Sequence, residues 1–435
     1  MGNSCRWGGL VRALRFGSAD AGRPDSVLPA PRDARSWRYV LLFALMILPF
    51  FEPRVLSVFV SESFTALFRW LRVVSAFGAI ALYVRFADKR LYDLVGISVP
   101  LLILLSTFLN AGIGSATDYK LWVDDWLPFL TAVLLVGFAR SGRIVDLVRG
   151  LLLVTALLSV ANFIFVLLCP AGLAVGGLMD SVYLLGHKNV AIYAIVPSVG
   201  ASLILDAWEG KRCSARSAAL YAIGFAQCLI AYSATSVVAL VVLLVFFVIC
   251  LSASVRGKVT MLYGLIAYGV ISVAILVFRL QTIAAPIIEG VLHKSLTFTL
   301  RTDVWDGVMS LMAQKPLLGY GLSLRGHLEF NGFVYAHPHN ELLSVLLAGG
   351  FVCLILYILF LVVSSVALYR RRGSSAATAL TCAVFAFLAV GLMEPLYTIA
   401  WPMLVALCYS VGRGEMHGDC EMRYPRSRKS HTTRN

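Results

Sequence analysis

Charge is the scarcest property of this chain. Of its 435 residues only 14% are charged while 59% are hydrophobic, giving a mean hydropathy of +0.83. So few charges cannot cover a water-soluble surface, so the class indicated is a polytopic membrane protein. Acidic residues are the rarer sign, 23 against 37 Lys and Arg. No acidic pair accompanies the polar clusters described below, so the two-carboxylate mechanism of glycoside hydrolysis is not expected. The nine cysteines contain no CxxC and no Cys/His zinc spacing, and neither a disulfide framework nor a structural metal follows. The first 37 residues lack an apolar h-region and are rich in Arg, Pro, Gly and Ser. They read as a disordered cytoplasmic leader without a cleavable signal peptide.

Long apolar runs stand in place of charge. About 17 to 25 apolar residues suffice to cross the hydrocarbon core as a helix. Twelve runs centre on residues 38 to 52, 67 to 84, 93 to 112, 122 to 139, 146 to 168, 189 to 207, 217 to 232, 234 to 252, 259 to 278, 341 to 369, 376 to 393 and 397 to 412. The expected fold is an all-α integral membrane protein of about twelve transmembrane helices. Its membrane domain covers residues 38–412, between the leader 1–37 and a basic tail 413–435. Lys and Arg resist translocation and mark cytoplasmic segments. With the N-terminus inside, seven such segments collect 27 of the 37 Lys and Arg, so both termini are expected in the cytoplasm. The net charge of +14 is then topology. A nucleic-acid partner would call for one basic face instead. Membrane lipids are the partner expected for the tail, at the anionic inner leaflet.

One external loop, residues 279–339, is far longer than its neighbours, and such loops are commonly functional. From Arg301 to Gln314, Trp305, Val308, Met309 and Met312 recur at i, i+3, i+4 and i+7, with Thr302 or Asp303 placed to cap the start. An amphipathic helix is expected there, lying on the outer surface like a lid or simply packing on the bundle. Pro316, Gly319 and Gly321 end the pattern. The loop closes on His337, Pro338, His339, Asn340 and Glu341. Ionisable groups at a membrane boundary are costly to keep and point to function. Asn340 can cap the next helix and Glu341 can favour its dipole. A metal reading, with His337, His339 and Glu341 as ligands, is the alternative for this cluster.

These residues resemble a known family. Arg301-x3-Trp305, then Lys315-Pro316-Leu317-Leu318-Gly319-Tyr320-Gly321, then His337-Pro338-His339-Asn340-Glu341 and Gly349-Gly350 are similar to the signature of the O-antigen ligase and polysaccharide polymerase superfamily. The ligases continue with a Gly-Thr-Thr element, absent after Gly350 here. Gly186-His187-Lys188-Asn189 and Thr297-Phe298-Thr299-Leu300-Arg301-Thr302-Asp303 look more like the exopolysaccharide polymerase branch, although Leu300 stands where that branch usually has glycine.

The resemblance implies a metal-independent glycosyltransferase without a cofactor, in the bacterial cytoplasmic (inner) membrane. Its donor would be an undecaprenyl-diphosphate-linked oligosaccharide or polysaccharide at the outer leaflet, and its acceptor a glycan hydroxyl. A chain-length regulator or a flippase is a candidate partner. A diphosphate beside lipid calls for fixed cations, and the planar fork of Arg suits phosphate oxygens best. Arg301 is the first choice, at the family's Arg-x3-Trp position. Lys188 is the second, unless it merely snorkels. Arg279 is the third, or else an anchor at the end of its span. His339 carries the family's catalytic position, and imidazole suits a base near neutral pH. His337 would orient the acceptor or hydrogen-bond His339, and His187 would neighbour Lys188. Asp303, Trp305, Asn340 and Glu341 complete the supporting set. Polymerisation of an exopolysaccharide or O-antigen is the preferred reaction, and ligation of the chain to a lipid A core is the second. A transporter or flippase is the other class that twelve helices admit. The acidic residues Asp124, Asp125, Asp206, Glu209 and Glu394 sit near span ends instead of the midplane, and the long loop breaks a six-plus-six symmetry.

Overall fold

Every apolar run contains a helix in the computed structural model, which describes residues 34–111, 116–174, 181–279 and 301–415. The basic leader up to residue 33, the tail beyond 415 and the motif residues Thr297 to Leu300 lie outside the described residues. In chain order the helices are α1 (Ala34–Ile47), α2 (Ser63–Phe86), α3 (Leu91–Ala111), α4 (Ala116–Asp125), α5 (Leu127–Ala139), α6 (Ile144–Leu168) and α7 (Ile192–Trp208). They continue with α8 (Ala215–Ile230), α9 (Ala234–Ile249), α10 (Met261–Leu276), α11 (Arg301–Gln314), α12 (Glu341–Tyr369), α13 (Ser375–Gly391) and α14 (Ala400–Gly412). Helices α2, α3, α6 and α12 are each long and apolar enough to cross a membrane, and α4 with α5 forms one broken span bent by 41°. Among the described residues, seven further apolar helices are 10–17 residues long. Twelve crossings would require those seven to be completed by flanking residues.

The burial pattern explains why these residues stay helical without water. All residues of α5 are buried, as are nearly all of α14. Helix α2 turns the other way: Arg72, Ser75, Ala76, Ala79 and Tyr83 face inward, while Leu67, Trp70, Leu71, Val74 and Phe77 face out. A helix with its polar stripe inside and its apolar stripe outside is adapted to lipid. Its buried Arg72 is matched by Glu52 at 2.8 Å and Asp124 at 2.5 Å, with Arg69 on the same Asp124 at 2.6 Å.

Connections sort into two groups by what they touch. At one end Arg90 reaches Glu415, Arg140 pairs with Asp93, and Arg256 reaches Ser375. At the other end residues 189, 233, 301, 339 and 394 meet. The second group carries the site.

Helix α12 is broken at Gly350, whose φ of 68° and ψ of −171° suit glycine alone. The break frees the carbonyls of Leu347 and Ala348 and the N–H groups of Phe351 and Val352. The Lys315 to Gly321 motif takes all four: Tyr320 N–H donates to Leu347 at 2.8 Å, Gly321 N–H to Ala348 at 3.0 Å, Phe351 N–H to Pro316 at 2.8 Å and Val352 N–H to Leu317 at 3.3 Å. The loop is thus spliced into the helix, satisfying polar backbone that lipid could not. A Cβ at Gly350 would lie 2.2 Å from the Leu317 carbonyl oxygen. Gly350→Ala is therefore expected to destabilise the protein by at least about 2 kcal/mol. The check is a lower thermal unfolding temperature than that of Gly373→Ala, where nothing lies within 4 Å of the added carbon. Equal temperatures for the two would refute the splice.

Helix α11 occupies Arg301–Gln314, the span read from the sequence, but its buried stripe differs by one residue. Val304, Trp305, Val308 and Met312 are buried, whereas Met309 is 46% exposed. The helix packs with Leu343, Leu346 and Leu347 of α12 in a small second core. A hairpin of β4 (Leu328–Phe330) and β5 (Phe333–Tyr335), turned by Asn331 and Gly332 at positive φ, leans Phe330 on Gly307 of that helix. Near α7 a three-stranded sheet of β1 (Leu173–Ala174), β2 (Ser181–Tyr183) and β3 (Gly186–His187) carries the His187 and Lys188 loop.

Candidate functional site

The segment from His337 to Glu341 holds its shape because consecutive residues are fastened to different partners. Pro338 accepts a hydrogen bond at 2.9 Å from the indole of Trp305, which ties α11 to the loop. Asn340 caps α12, its Oδ1 accepting from Leu343 N–H at 3.1 Å, while its Nδ2 donates to the Leu392 carbonyl at 3.1 Å. Between them His339 adopts φ +54°, a left-handed conformation costly for a residue with a β-carbon. Such strain is retained where the surroundings over-determine it, commonly at sites. His339 N–H donates to His337 Nδ1 at 3.3 Å, and the two rings lie 4.2 Å apart between centroids.

The centre of the site is Glu394, in the connection between α13 and α14. Its Oε1 accepts from Arg301 Nη2 at 2.8 Å and from Asn189 Nδ2 at 3.1 Å, and its Oε2 lies 3.2 Å from His339 Nδ1. The Asn189 amide is oriented by Ser233, whose hydroxyl donates to Oδ1 at 2.8 Å. Arg301 and His339, 38 residues apart, are therefore joined through one carboxylate. Asn189 brings the His187 and Lys188 loop to the same place. His187 and Lys188 themselves line a cavity with Asn162, Tyr183 and Gln227.

Other candidates fall elsewhere. Arg279 pairs with Asp306 and donates to the Thr302 carbonyl at 3.4 Å, with its guanidinium 5.7 Å from the Trp305 ring centroid. These contacts direct it to α11. Asp303 lies in the first turn of α11, where a carboxylate favours the dipole. Glu341 does not join the imidazoles as a metal ligand set would require. The phase of α12 turns it inward, where Oε1 accepts from Tyr357 at 2.7 Å and Oε2 from Leu396 N–H at 2.6 Å. Arg325, whose direction sequence could not supply, pairs with Asp125 at 2.8 Å, donates to the Ala336 carbonyl at 2.6 Å and lies 5.0 Å from the Tyr397 ring centroid. With His337 and Tyr397 it lines a second cleft behind the imidazoles.

Charge at the mouth is arranged around these cations. For Glu394, burial raises the pKa, but the His339 hydrogen bond and the charge of Arg301 more than offset it and hold the carboxyl near about 2. His337 is pushed down to about 3 by burial and then by the charges of His339 and Arg325. It is a neutral ring at physiological pH. The folded His337 refuses a proton that the unfolded chain accepts below about 6.5, so stability should fall as pH drops from about 6.5 toward about 3. Glu394 adds stability above its ordinary 4.5 that is lost as pH falls through about 2. Unfolding temperatures of the purified protein between pH 7 and 4 should decline, and the decline should flatten in His337→Gln. An unchanged slope in that variant would count against the neutral ring.

His337, His339 and Glu394 offer three metal-ligand atoms within 4.8 Å of one another. Yet Oε1 of that carboxylate already receives Arg301 and Asn189, and Arg325 adds a second guanidinium beside His337. Two nearby cations oppose a divalent ion and favour an anion.

A helical bundle with a lipid-adapted surface, a loop spliced into α12 and an Arg, His and Glu cluster at one end defines a multi-pass membrane protein with a polar site. Residues 219–358 match the family model described as O-antigen ligase, so this segment is similar to that domain. No curated protein and no solved structure matched the chain. The matched segment contains Arg301, His337 and His339, whereas Lys188, Asn189 and Glu394 lie outside it.

Proposed function

We propose that the protein is a metal-independent glycosyltransferase that moves a glycan from undecaprenyl diphosphate onto an acceptor sugar hydroxyl at the outer face of the bacterial inner membrane. The reading includes twelve crossings with both termini cytoplasmic. The observation that carries it is the meeting of Arg301 and His339 on one carboxylate, next to the loop that bears Lys188. His339 is the base for the acceptor hydroxyl. Arg301 and Lys188 receive the charge that grows on the departing diphosphate. One N–H of Arg301 is spent on Glu394, leaving the rest of its fork for phosphate. His337 orients the base, and Arg279 steadies α11.

Polymerisation of an exopolysaccharide or O-antigen is the favoured reaction, supported by the Gly186 to Asn189 motif and by the missing Gly-Thr-Thr element after Gly350. The description of the matching family favours the ligase as second reading. A chain-length regulator or flippase would act beside either. Glycan profiling of a deletion strain separates the two: single lipid-linked repeats are expected for a polymerase, and full-length chains stranded on undecaprenol for a ligase. An unaltered glycan profile would defeat both.

A further inference from the structure

We propose that Glu394 is the positioning residue of the base, holding His339 in the tautomer whose Nε2 is free to take a proton. This rests on the reading of His339 as the base. Three observations carry it. The other two side-chain groups on the carboxylate, Arg301 Nη2 and Asn189 Nδ2, can only donate, and an ionised carboxylate can only accept. The proton shared with His339 at 3.2 Å therefore belongs to Nδ1, which leaves the lone pair on Nε2. Second, the carboxylate is buried at 8% exposure, in a site where such a contact is little diluted by water.

Third, the backbone around Glu394 is fixed by the residues that follow His339. Leu392 accepts from Asn340, and Leu396 N–H donates to Glu341. Pro395 accepts from Tyr193 at 2.6 Å. A turn held by Asn340 and Glu341 cannot drift relative to the imidazole one residue before them. During transfer the acceptor O–H gives its proton to Nε2 as its oxygen bonds to the anomeric carbon. The bond from that carbon to the diphosphate oxygen breaks, and its electron pair leaves with undecaprenyl diphosphate. Glu394 remains ionised throughout and stabilises the imidazolium so formed.

Glu394→Gln tests this sharply, because Arg301 and Asn189 both donate to Oε1. The amide oxygen must take that position, which turns the NH2 toward His339 Nδ1 and drives the proton to Nε2. Chain transfer in vesicles loaded with the native lipid-linked repeat is expected to fall about 100-fold or more. Binding of undecaprenyl diphosphate to the full chain in nanodiscs should stay within about threefold, since Arg301 keeps its charge. Glu394→Asp retains the carboxylate one methylene further back and should keep more turnover than Glu394→Gln. A near wild-type rate in Glu394→Gln overturns the proposal, as does joint loss of turnover and diphosphate binding, which is the mark of a merely structural residue. Should Glu394→Gln fail to insert, Glu394→Asp decides: reduced turnover with retained binding supports the role, and unchanged turnover ends it. Normal turnover in a His339 variant would instead sink the base reading on which this depends.

Discussion

Replacing His339 by alanine should reduce chain transfer by about 10² to 10⁴-fold, the range that a positioned general base contributes. The expectation comes from a side chain that touches a buried carboxylate on one side while remaining partly exposed on the other. Alanine is poorly suited to φ +54° and would also strain the backbone there. His339→Asn is the companion variant, because asparagine tolerates the left-handed region while lacking a base. Both should insert and bind undecaprenyl diphosphate in nanodiscs, and both should fail to extend chains. Product at the wild-type rate from the asparagine variant would remove His339 from the mechanism.

The second large effect is expected from Arg301→Lys, which conserves charge and changes geometry. The guanidinium can give one edge to Glu394 and another to phosphate oxygens, as the 2.8 Å contact through Nη2 allows. An ammonium reaching Glu394 would be a single point of charge without that planar fork. Losing one charge-assisted hydrogen bond, worth about 1.5–3 kcal/mol, should weaken diphosphate binding by about 10 to 100-fold. Titration of undecaprenyl diphosphate in nanodiscs measures it. Unchanged affinity would reject Arg301 as the clamp, and on the proposed mechanism turnover should fall with affinity because the same charge would stabilise the leaving group.

The helices were legible because apolar runs of spanning length carry strong signals, and α11 was legible to its ends because its period is helical. Its face was misjudged by one side chain, since Met309 and Val304 fit an apolar stripe equally until α12 selects one. Glu394 escaped assignment for a physical reason: it stands in a short turn beside Pro395, with no periodicity and no motif around it. What could have drawn attention to it was a single carboxylate at a membrane boundary, the same argument that singled out the histidines. Glu341 was the more conspicuous acid only because it is near His339 in sequence. Helix geometry sends it toward Tyr357 instead. The break in α12 was hidden because a Gly-Gly pair inside an apolar run is compatible with a straight helix, and only the partner backbone of Pro316 to Gly321 reveals the difference.

That partner backbone also imposes an order on biosynthesis. Residues 316 to 321 leave the ribosome before residues 347 to 352, so the four hydrogen bonds between them can close only after the later segment has entered the bilayer. Until then the middle of α12 can satisfy those groups only within itself, as an unbroken helix would. The earlier segment therefore stays undocked until α12 is in place. A fault at Gly319, Gly321 or Gly350 would show itself first as a failure of membrane integration and quality control, before any activity is lost at the site itself.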